Sequence, residues 1–245
     1  YVPQAGVVDY KAVSEMIAKK FLSLGGTIKY FQKIKTINTE NNLKVLTSDR
    51  ETFKSEFLIN CAGLFSDTVA ELDNIKPDLR IIPFRGEYYV LSQEKAYLVN
   101  NMIYPISDPN LPFLGIHLTK TVDGQIEAGP NAVLAFAKEG YKWSNINVSE
   151  FMKTISYKGM WKLGKQYLGT GVSEMYRSLN KRVFLKEILN YIPDVRLSDL
   201  KPRVAGVRAQ AVSSNGDLID DFVFEDGNNS LHVLNAPSPA ATASL

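Results

Sequence analysis

The chain has 245 residues, with 45% apolar and 22% charged side chains and a net charge of +2, the balance of an ordinary globular protein. Lys and Arg are scattered, so no nucleic-acid footprint is expected. No apolar run approaches the roughly 20 residues of a membrane span. One cysteine, Cys61, excludes an internal disulfide and a cysteine metal centre, and two histidines, His117 and His232, disfavour a His-rich metal site.

Asp9 to Leu24 is expected to be a helix. Val13, Met16, Ile17, Phe21 and Leu24 recur at helical spacing, Asp9 caps the start and Gly25-Gly26 ends it. Thr27 to Phe31 reads as a strand, and Lys33 to Ile37 with Leu43 to Thr47 as a hairpin. Glu56 to Asn60 is a short strand entering Cys61-Ala62-Gly63, and Ser66-Asp67 starts a helix.

From Arg80 the character changes. Ile81 to Pro83, Glu87 to Ser92, Met102 to Ile106, Phe113 to Leu118 and Gln125 to Ala128 are short strands separated by turn-forming residues, which suggests an antiparallel sheet. Val148 to Tyr191 reads as helical, broken at Gly169 to Gly171 and stopped by Pro193. Arg203 to Arg208, Asp220 to Phe224 and Leu231 to Asn235 return to strands, and Ser238-Pro239 begins a last helix. The absence of an initiating Met and a closing stretch that reads as a helix just begun suggest a portion of something longer.

Helix and strands, then an antiparallel block with helices, then a strand feeding a helix imply an α/β fold of two interleaved domains, with the chain leaving one layer and returning to it at the end.

Gly159 to Lys165 has the spacing of a phosphate-cradling loop, but Gln166 stands where Ser or Thr would hold magnesium and the surroundings are helical. Small residues after the strand at Phe57 to Asn60 let a ligand approach the Cys61-Ala62-Gly63 backbone closely, although a packed strand ending in a turn explains them too. Cys61 itself reads as a core thiol. Asn235-Ala236-Pro237 turns a strand into a helix whose free N–H groups suit an anion or an electron-rich ring edge. His117, on an apolar strand, is either a hydrogen-bonded structural residue or a general base. Arg208 is a candidate for a two-pronged bond to a substrate carboxylate. Arg85 is a second candidate, with a surface ion pair as the competing reading.

Seven runs in order carry a resemblance: Gly6 to Tyr10, Asn60 to Asp67, Pro83 to Tyr89, Pro112 to Thr119, Gly129 to Ala135, Gly206 to Gln210 and Asn235 to Thr242. Together they resemble the L-2-hydroxyglutarate oxidase/dehydrogenase family of FAD-dependent oxidoreductases, the group that includes D-amino acid and glycine oxidases. The resemblance implies part of a Rossmann-like FAD/NAD(P)-binding domain (residues 1–79 and 206–245) interleaved with an antiparallel-sheet substrate domain (residues 80–205), oxidation of a small 2-hydroxy acid by hydride transfer to FAD, and a glycine-rich pyrophosphate loop ahead of Tyr1. It places Cys61, Ala62, Gly63, Asn235, Pro237, Ser238, Ala240 and Thr242 along the flavin. His117 becomes the base, Arg208 the carboxylate anchor, and Arg85 the partner of a second carboxylate. Oxygen or a quinone would take the electrons, the latter implying peripheral contact with the inner face of the cell membrane by a cytoplasmic protein. An amino-acid or glycerol-3-phosphate oxidase of the same fold, or a non-catalytic binding domain, are the competing readings.

Overall fold

A computed structural model describes residues 6–106 and 115–237. Helix α1 (Tyr10–Ser23) starts where expected, because the Asp9 carboxylate accepts from the Lys11 and Ala12 amides and satisfies two orphan donors. Met16, Ile17, Phe21 and Leu24 stay exposed among the described residues, so this helix has an apolar side without a core. The hairpin is present as β1 (Ile34–Glu40) and β2 (Leu43–Ser48), turning through Asn41 and Asn42, both at positive φ. β3 (Thr52–Ser55), not foreseen, completes an antiparallel sheet in the order β1-β2-β3. The expected strand at Thr27 to Phe31 does not form; Phe31 adopts a φ of 57°, which breaks an extended path.

β4 (Leu58–Asn60) leads through a 3-10 turn at Gly63–Phe65 into α2 (Ser66–Leu72). The chain then crosses into an antiparallel block. β5 (Leu79–Gly86), β6 (Tyr89–Leu91), β7 (His117–Lys120), β8 (Ile126–Gly129) and β9 (Val133–Leu134) are followed by four helices. These are α3 (Val148–Ile155), α4 (Lys158–Gln166), α5 (Leu168–Leu179) and α6 (Lys181–Ile188). The expected strand at Met102 to Ile106 reduces to a single bridge between Ile103 and Leu118, with Pro105 removing a ladder donor. The helical breaks fall at Ser156-Tyr157, Tyr167 and Asn180 rather than at Gly169 to Gly171, which lie inside α5. Asn147 caps α3 and Asn180 caps α6, whereas α4 and α5 start without a side-chain cap and the glycines are accommodated within α5. Gly159 to Lys165 lies on α4, so the phosphate-loop spacing there is coincidental.

β10 (Leu200–Pro202), β11 (Gly206–Ser213), β12 (Val223–Gly227) and β13 (Ser230–Asn235) finish the described chain. Two antiparallel sheets, β10-β6-β8-β7 and β11-β5-β9, stand beside a third in which β13 pairs antiparallel with β12 but parallel with β4. A parallel contact between strands far apart in sequence is the mark of an α/β layer, whereas the other sheets are antiparallel throughout.

Three apolar clusters hold the layers together. Leu91, Leu118, Ile126, Phe184, Ile188 and Leu200 pack α6 on the β6-β8-β7 face. Ala70, Leu79, Ile81, Ala211 and Leu234 join α2 and β13 to one face of the β5-β11 pair. Ile82, Leu163 and Val212 join α4 to the other. The β5-β11 pair is therefore the wall between the α/β layer and the helices. The final helix expected from Ser238 lies outside the described residues.

Candidate functional site

Two loops meet at the carboxyl ends of the parallel strands β4 and β13. His232 pairs in register with Asn60, which brings Cys61-Ala62-Gly63 beside Leu234 and Asn235. Asn60 is buried and locks its own loop: its Oδ1 accepts from the Ala62 amide at 3.1 Å and its Nδ2 donates to the Ser66 carbonyl at 2.8 Å. Ser66 Oγ then donates to the Leu234 carbonyl at 2.9 Å, tying the two loops together. Asn235 Nδ2 donates to the carbonyls of Ile219 and Asp221 at 3.1 and 2.7 Å.

Behind this junction is a buried polar chain. His232, fully buried, has Nε2 3.1 Å from Asp73 Oδ2 and Nδ1 3.0 Å from Asn60 Nδ2. A carboxylate only accepts and an amide nitrogen only donates, so His232 carries its proton on Nε2 and accepts at Nδ1. Asp73 also pairs with buried Lys44 and accepts from Ser230 Oγ. Burial raises the Asp73 carboxyl, but bonds from Lys44, Ser230 and His232 and the Lys44 charge outweigh it, leaving the pKa below its ordinary value. Ser230, His232 and Asp73 have the composition of a nucleophilic triad without its geometry. Ser230 Oγ (3.3 Å) and Asp73 both address Nε2, whereas a working triad uses the two ring nitrogens separately. This network is structural support for the loops.

Cys61, Ala62 and Gly63 are exposed, which corrects the reading of Cys61 as a core thiol: the β4 alternation ends at Asn60 and the next residue turns outward. Gly63 has a φ of +54°, and a Cβ there would meet nothing within 4 Å. An open, small-residue rim on a rigid support fits the close approach of a planar ring system such as a flavin. Pro237 is half-buried on the facing loop; Ser238, Ala240 and Thr242 lie outside the described residues.

A second group of side chains lies on the antiparallel block. His117 opens β7, and its Nδ1 is 3.1 Å from the Gly115 carbonyl. That carbonyl fixes the proton on Nδ1 in the neutral ring, so Nε2 is the nitrogen with an available lone pair. Tyr104 stacks on the imidazole with centroids 4.3 Å apart and 19° between planes. Burial lowers the His117 pKa, the Gly115 carbonyl opposes this, and the Arg208 charge lowers it further. Arg208, third residue of β11, is exposed and close enough for its side chain to lower the Tyr88 pKa; burial outweighs this and raises it, keeping the phenol protonated. The fold thus brings His117, Tyr104, Tyr88 and Arg208 within electrostatic reach of each other from β7, its flanking segment, the β5–β6 bend and β11.

Arg85 is placed differently. In the β5-β11 register Arg208 faces Phe84 and Val207 faces Arg85, so the two arginines project from opposite faces of the sheet. Arg85 is only 2% exposed, ion-paired with Glu87 at 2.9 Å and centred 3.9 Å over the Trp143 ring. Glu87 also accepts from Trp143 Nε1 at 2.9 Å and from Ser178 Oγ. These groups line a cleft of about 610 Å³ with Tyr88, Tyr89, Tyr141, Lys142 and Arg203. The structure therefore does not bring Arg85 and Arg208 together. Tyr88, Tyr104 and the Asn60–His232–Asp73–Lys44 chain were not foreseen; the only sequence signal for the last was polar Ser230 and His232 at alternate positions of an apolar strand. No group of three or more metal-ligating side chains occurs among the described residues.

All 245 residues match the family model described as FAD dependent oxidoreductase. An L-2-hydroxyglutarate dehydrogenase of Indibacter alkaliphilus is 49% identical over 246 residues, covering 100% of this chain and 62% of that protein. The Escherichia coli K12 protein of the same name is 42% identical, with 100% and 58% covered. The human mitochondrial one is 40% identical, with 99% and 56% covered. The chain thus spans about three fifths of the length of these relatives. Among solved structures, the FAD-bound L-alpha-glycerophosphate oxidase of Mycoplasma pneumoniae has a TM-score of 0.66 at 18% identity, covering 94% of this chain and 52% of that one. The FAD-complexed glycerol-3-phosphate dehydrogenase of Bacillus halodurans has a TM-score of 0.57 at 14% identity, covering 91% and 38%. At these identities the two structures establish the fold alone: helices with mixed and antiparallel sheets. Family match and relatives together place the chain in the FAD dependent oxidoreductase family.

Proposed function

We propose that this chain supplies the substrate wall and part of the FAD site of a cytoplasmic oxidoreductase that converts L-2-hydroxyglutarate to 2-oxoglutarate. The observation that carries the reading is the grouping of Arg208, Tyr88 and His117 on one side of the block, with a small-residue rim nearby in the fold. The names of the relatives supply the substrate. In this reading residues 1–79 and 206–245 belong to the FAD-binding part and residues 80–205 to the substrate part.

Arg208 binds the carboxylate next to the reacting carbon through two parallel hydrogen bonds, which fixes the orientation of the Cα–H bond. Tyr88, protonated, offers a neutral donor beside it. His117 takes the 2-hydroxyl proton on Nε2 as the carbonyl forms, while the Gly115 carbonyl and the Tyr104 stack hold the ring still. Bound FAD supplies the acceptor for the hydride that leaves Cα. Cys61, Ala62, Gly63, Asn235, Pro237, Ser238, Ala240 and Thr242 would line it, and the Asn60–His232 network keeps that rim from moving. Arg85 acts from behind: by holding Glu87 and Trp143 it sets the cleft wall on which Tyr88 stands. The electron acceptor that follows is oxygen or a quinone.

Protein from the full reading frame is mixed without oxygen with L-2-hydroxyglutarate, with its D isomer, and with L-amino acids or glycerol 3-phosphate. Bleaching of the flavin band by the L-hydroxy acid alone is the expected result. Bleaching by an amine or a phosphate ester instead overturns the substrate. Adding oxygen or a soluble quinone to the bleached protein identifies the acceptor by the faster return of colour.

A further inference from the structure

On the Arg85 side of the β5-β11 wall two buried donors go unmatched. Arg85 Nε and Asn131 Nδ2 have no hydrogen-bond acceptor among the described residues, although the two side chains are only 2 and 4% exposed. Both residues flank Glu87. Arg85 donates to its carboxylate at 2.9 Å, and Asn131 Oδ1 accepts from its amide at 2.7 Å. Glu87 is already shared between Arg85, Trp143 and Ser178. A buried donor without an acceptor is unfavourable, and two beside one residue call for an acceptor that the chain does not supply.

The cleft of about 610 Å³ that Arg85 lines is built to match. Its volume is that of a small-molecule site. Among its charged lining groups Arg85, Lys142 and Arg203 stand against Glu87 alone. Arg203 reaches Glu127 at the edge, but the exposed Lys142 ammonium has no carboxylate partner among the described residues. The mouth is apolar instead. Tyr141, Leu179 and Val204 are 42, 69 and 73% exposed there, beside Pro202. The deep end thus offers donors and positive charge, and the outer end a surface for a ring.

We propose that this cleft binds an aromatic carboxylic acid, with its carboxylate on Arg85 and Lys142 and its ring against Tyr141, Leu179 and Val204. A guanidinium and an ammonium are the usual partners of a carboxylate, and a tyrosine face stacks on a second ring. Arg208 projects from the opposite face of the sheet, so the acid is a second molecule and not the far end of the hydroxy acid. 2-Hydroxyglutarate, polar along its length, has nothing to set against the apolar mouth. Tyr88 is common to both places, because it lines the cleft and neighbours Arg208. An acid in the cleft therefore touches a wall of the oxidation site. The cleft does not depend on which substrate is oxidised.

The test uses flavin-loaded protein from the full reading frame with Arg208→Ala, so that the substrate anchor does not hold the probe. It is titrated with phenylacetate and, separately, with the neutral phenylacetamide. Trp143 emission, isolated as the signal absent from Trp143→Phe, should change saturably with the acid and not with the amide. Lys142→Glu and Tyr141→Ser, at exposed positions, should each weaken binding tenfold or more with an unchanged melting temperature. Arg85→Lys keeps the charge but loses the planar fork, and a similar weakening is expected. In protein with Arg208 intact, L-2-hydroxyglutarate should not displace the acid from Trp143. No saturable change, equal binding of the amide, full affinity in both exposed variants, or competitive displacement by L-2-hydroxyglutarate overturns the proposal. None of these readouts passes through turnover, so they stand apart from the test of the oxidised substrate.

Discussion

The molecule contains two polar centres built from similar residues to opposite ends. Behind the β4–β13 junction, Lys44, Asp73, His232 and Asn60 are all buried, and each is matched by named partners. On the antiparallel block, His117 is half-buried and Arg208 exposed, and among the described residues the imidazole is engaged at Nδ1, by the Gly115 carbonyl. Two histidines, one per centre, make the contrast direct. His232 is held at both nitrogens and cannot exchange a proton without breaking a buried bond. Among the described residues His117 is held at Nδ1, which leaves Nε2 for a substrate proton. Complete satisfaction makes support; incomplete satisfaction beside a charged neighbour makes a site.

The largest effect should come from breaking the closed centre. Asp73→Asn leaves the Lys44 ammonium buried without its counter-ion, and a destabilisation of about 3 to 5 kcal/mol is expected in urea unfolding. Because the folded Asp73 pKa lies below its ordinary value, the carboxylate stabilises the fold fully above the ordinary carboxylate range. That contribution disappears only as pH falls through the lower folded value. The wild type should therefore tolerate mild acid, and the difference between wild type and Asp73→Asn should shrink only in strong acid. A variant as stable as the wild type would remove the network from its supporting role.

In the open centre the fold should survive and the chemistry should fail. His117→Asn keeps a hydrogen-bonding side chain but no base, and flavin reduction should slow about 100-fold or more in stopped flow. Arg208→Ala should lose about 2 kcal/mol or more of substrate binding, read as a raised KM or a loss in kcat/KM. The two are coupled by charge. Burial and Arg208 hold the His117 pKa below its ordinary value, so the acid limb of kcat/KM should lie below the usual histidine range. Removing the Arg208 charge raises that pKa, and the limb should move toward neutral pH. An unmoved limb would mean that His117 is not the titrating base.

The open centre was more legible in the sequence than the closed one, and the reason is physical. Arg208 and His117 are single residues whose chemistry announces itself, and local patterns placed part of the strands that carry them: Arg203 to Arg208 overlaps β11 from Gly206 on, and Phe113 to Leu118 overlaps β7 at His117 and Leu118. The closed centre joins residues 44, 60, 73, 230 and 232, which no local period connects; only the parallel pairing of β4 with β13 brings them together. The same limit explains Arg85. Its type suggested a carboxylate partner, but its face is set by the β5-β11 register, a long-range fact. Element type followed from hydrophobic period and caps, as α1 and the β1-β2 hairpin illustrate. The breaks within α3 to α6 did not: the one at Asn180 has a side-chain cap, those before α4 and α5 have none, and the glycines stay helical inside α5.

The smallest effect sharpens the comparison by keeping the chemistry and removing the burial. Lys29 and Glu51 form an ion pair at 3.4 Å with side chains 53 and 39% exposed, against 2 and 3% for Lys44 and Asp73. In water each partner recovers most of its solvation when the other is removed, and Glu51 keeps a 2.8 Å bond from Gln32 Nε2. Lys29→Met should therefore change unfolding free energy by less than about 0.5 kcal/mol, and that small change should vanish in high salt. A loss comparable to that of Asp73→Asn would show that the contrast between the two centres does not come from burial.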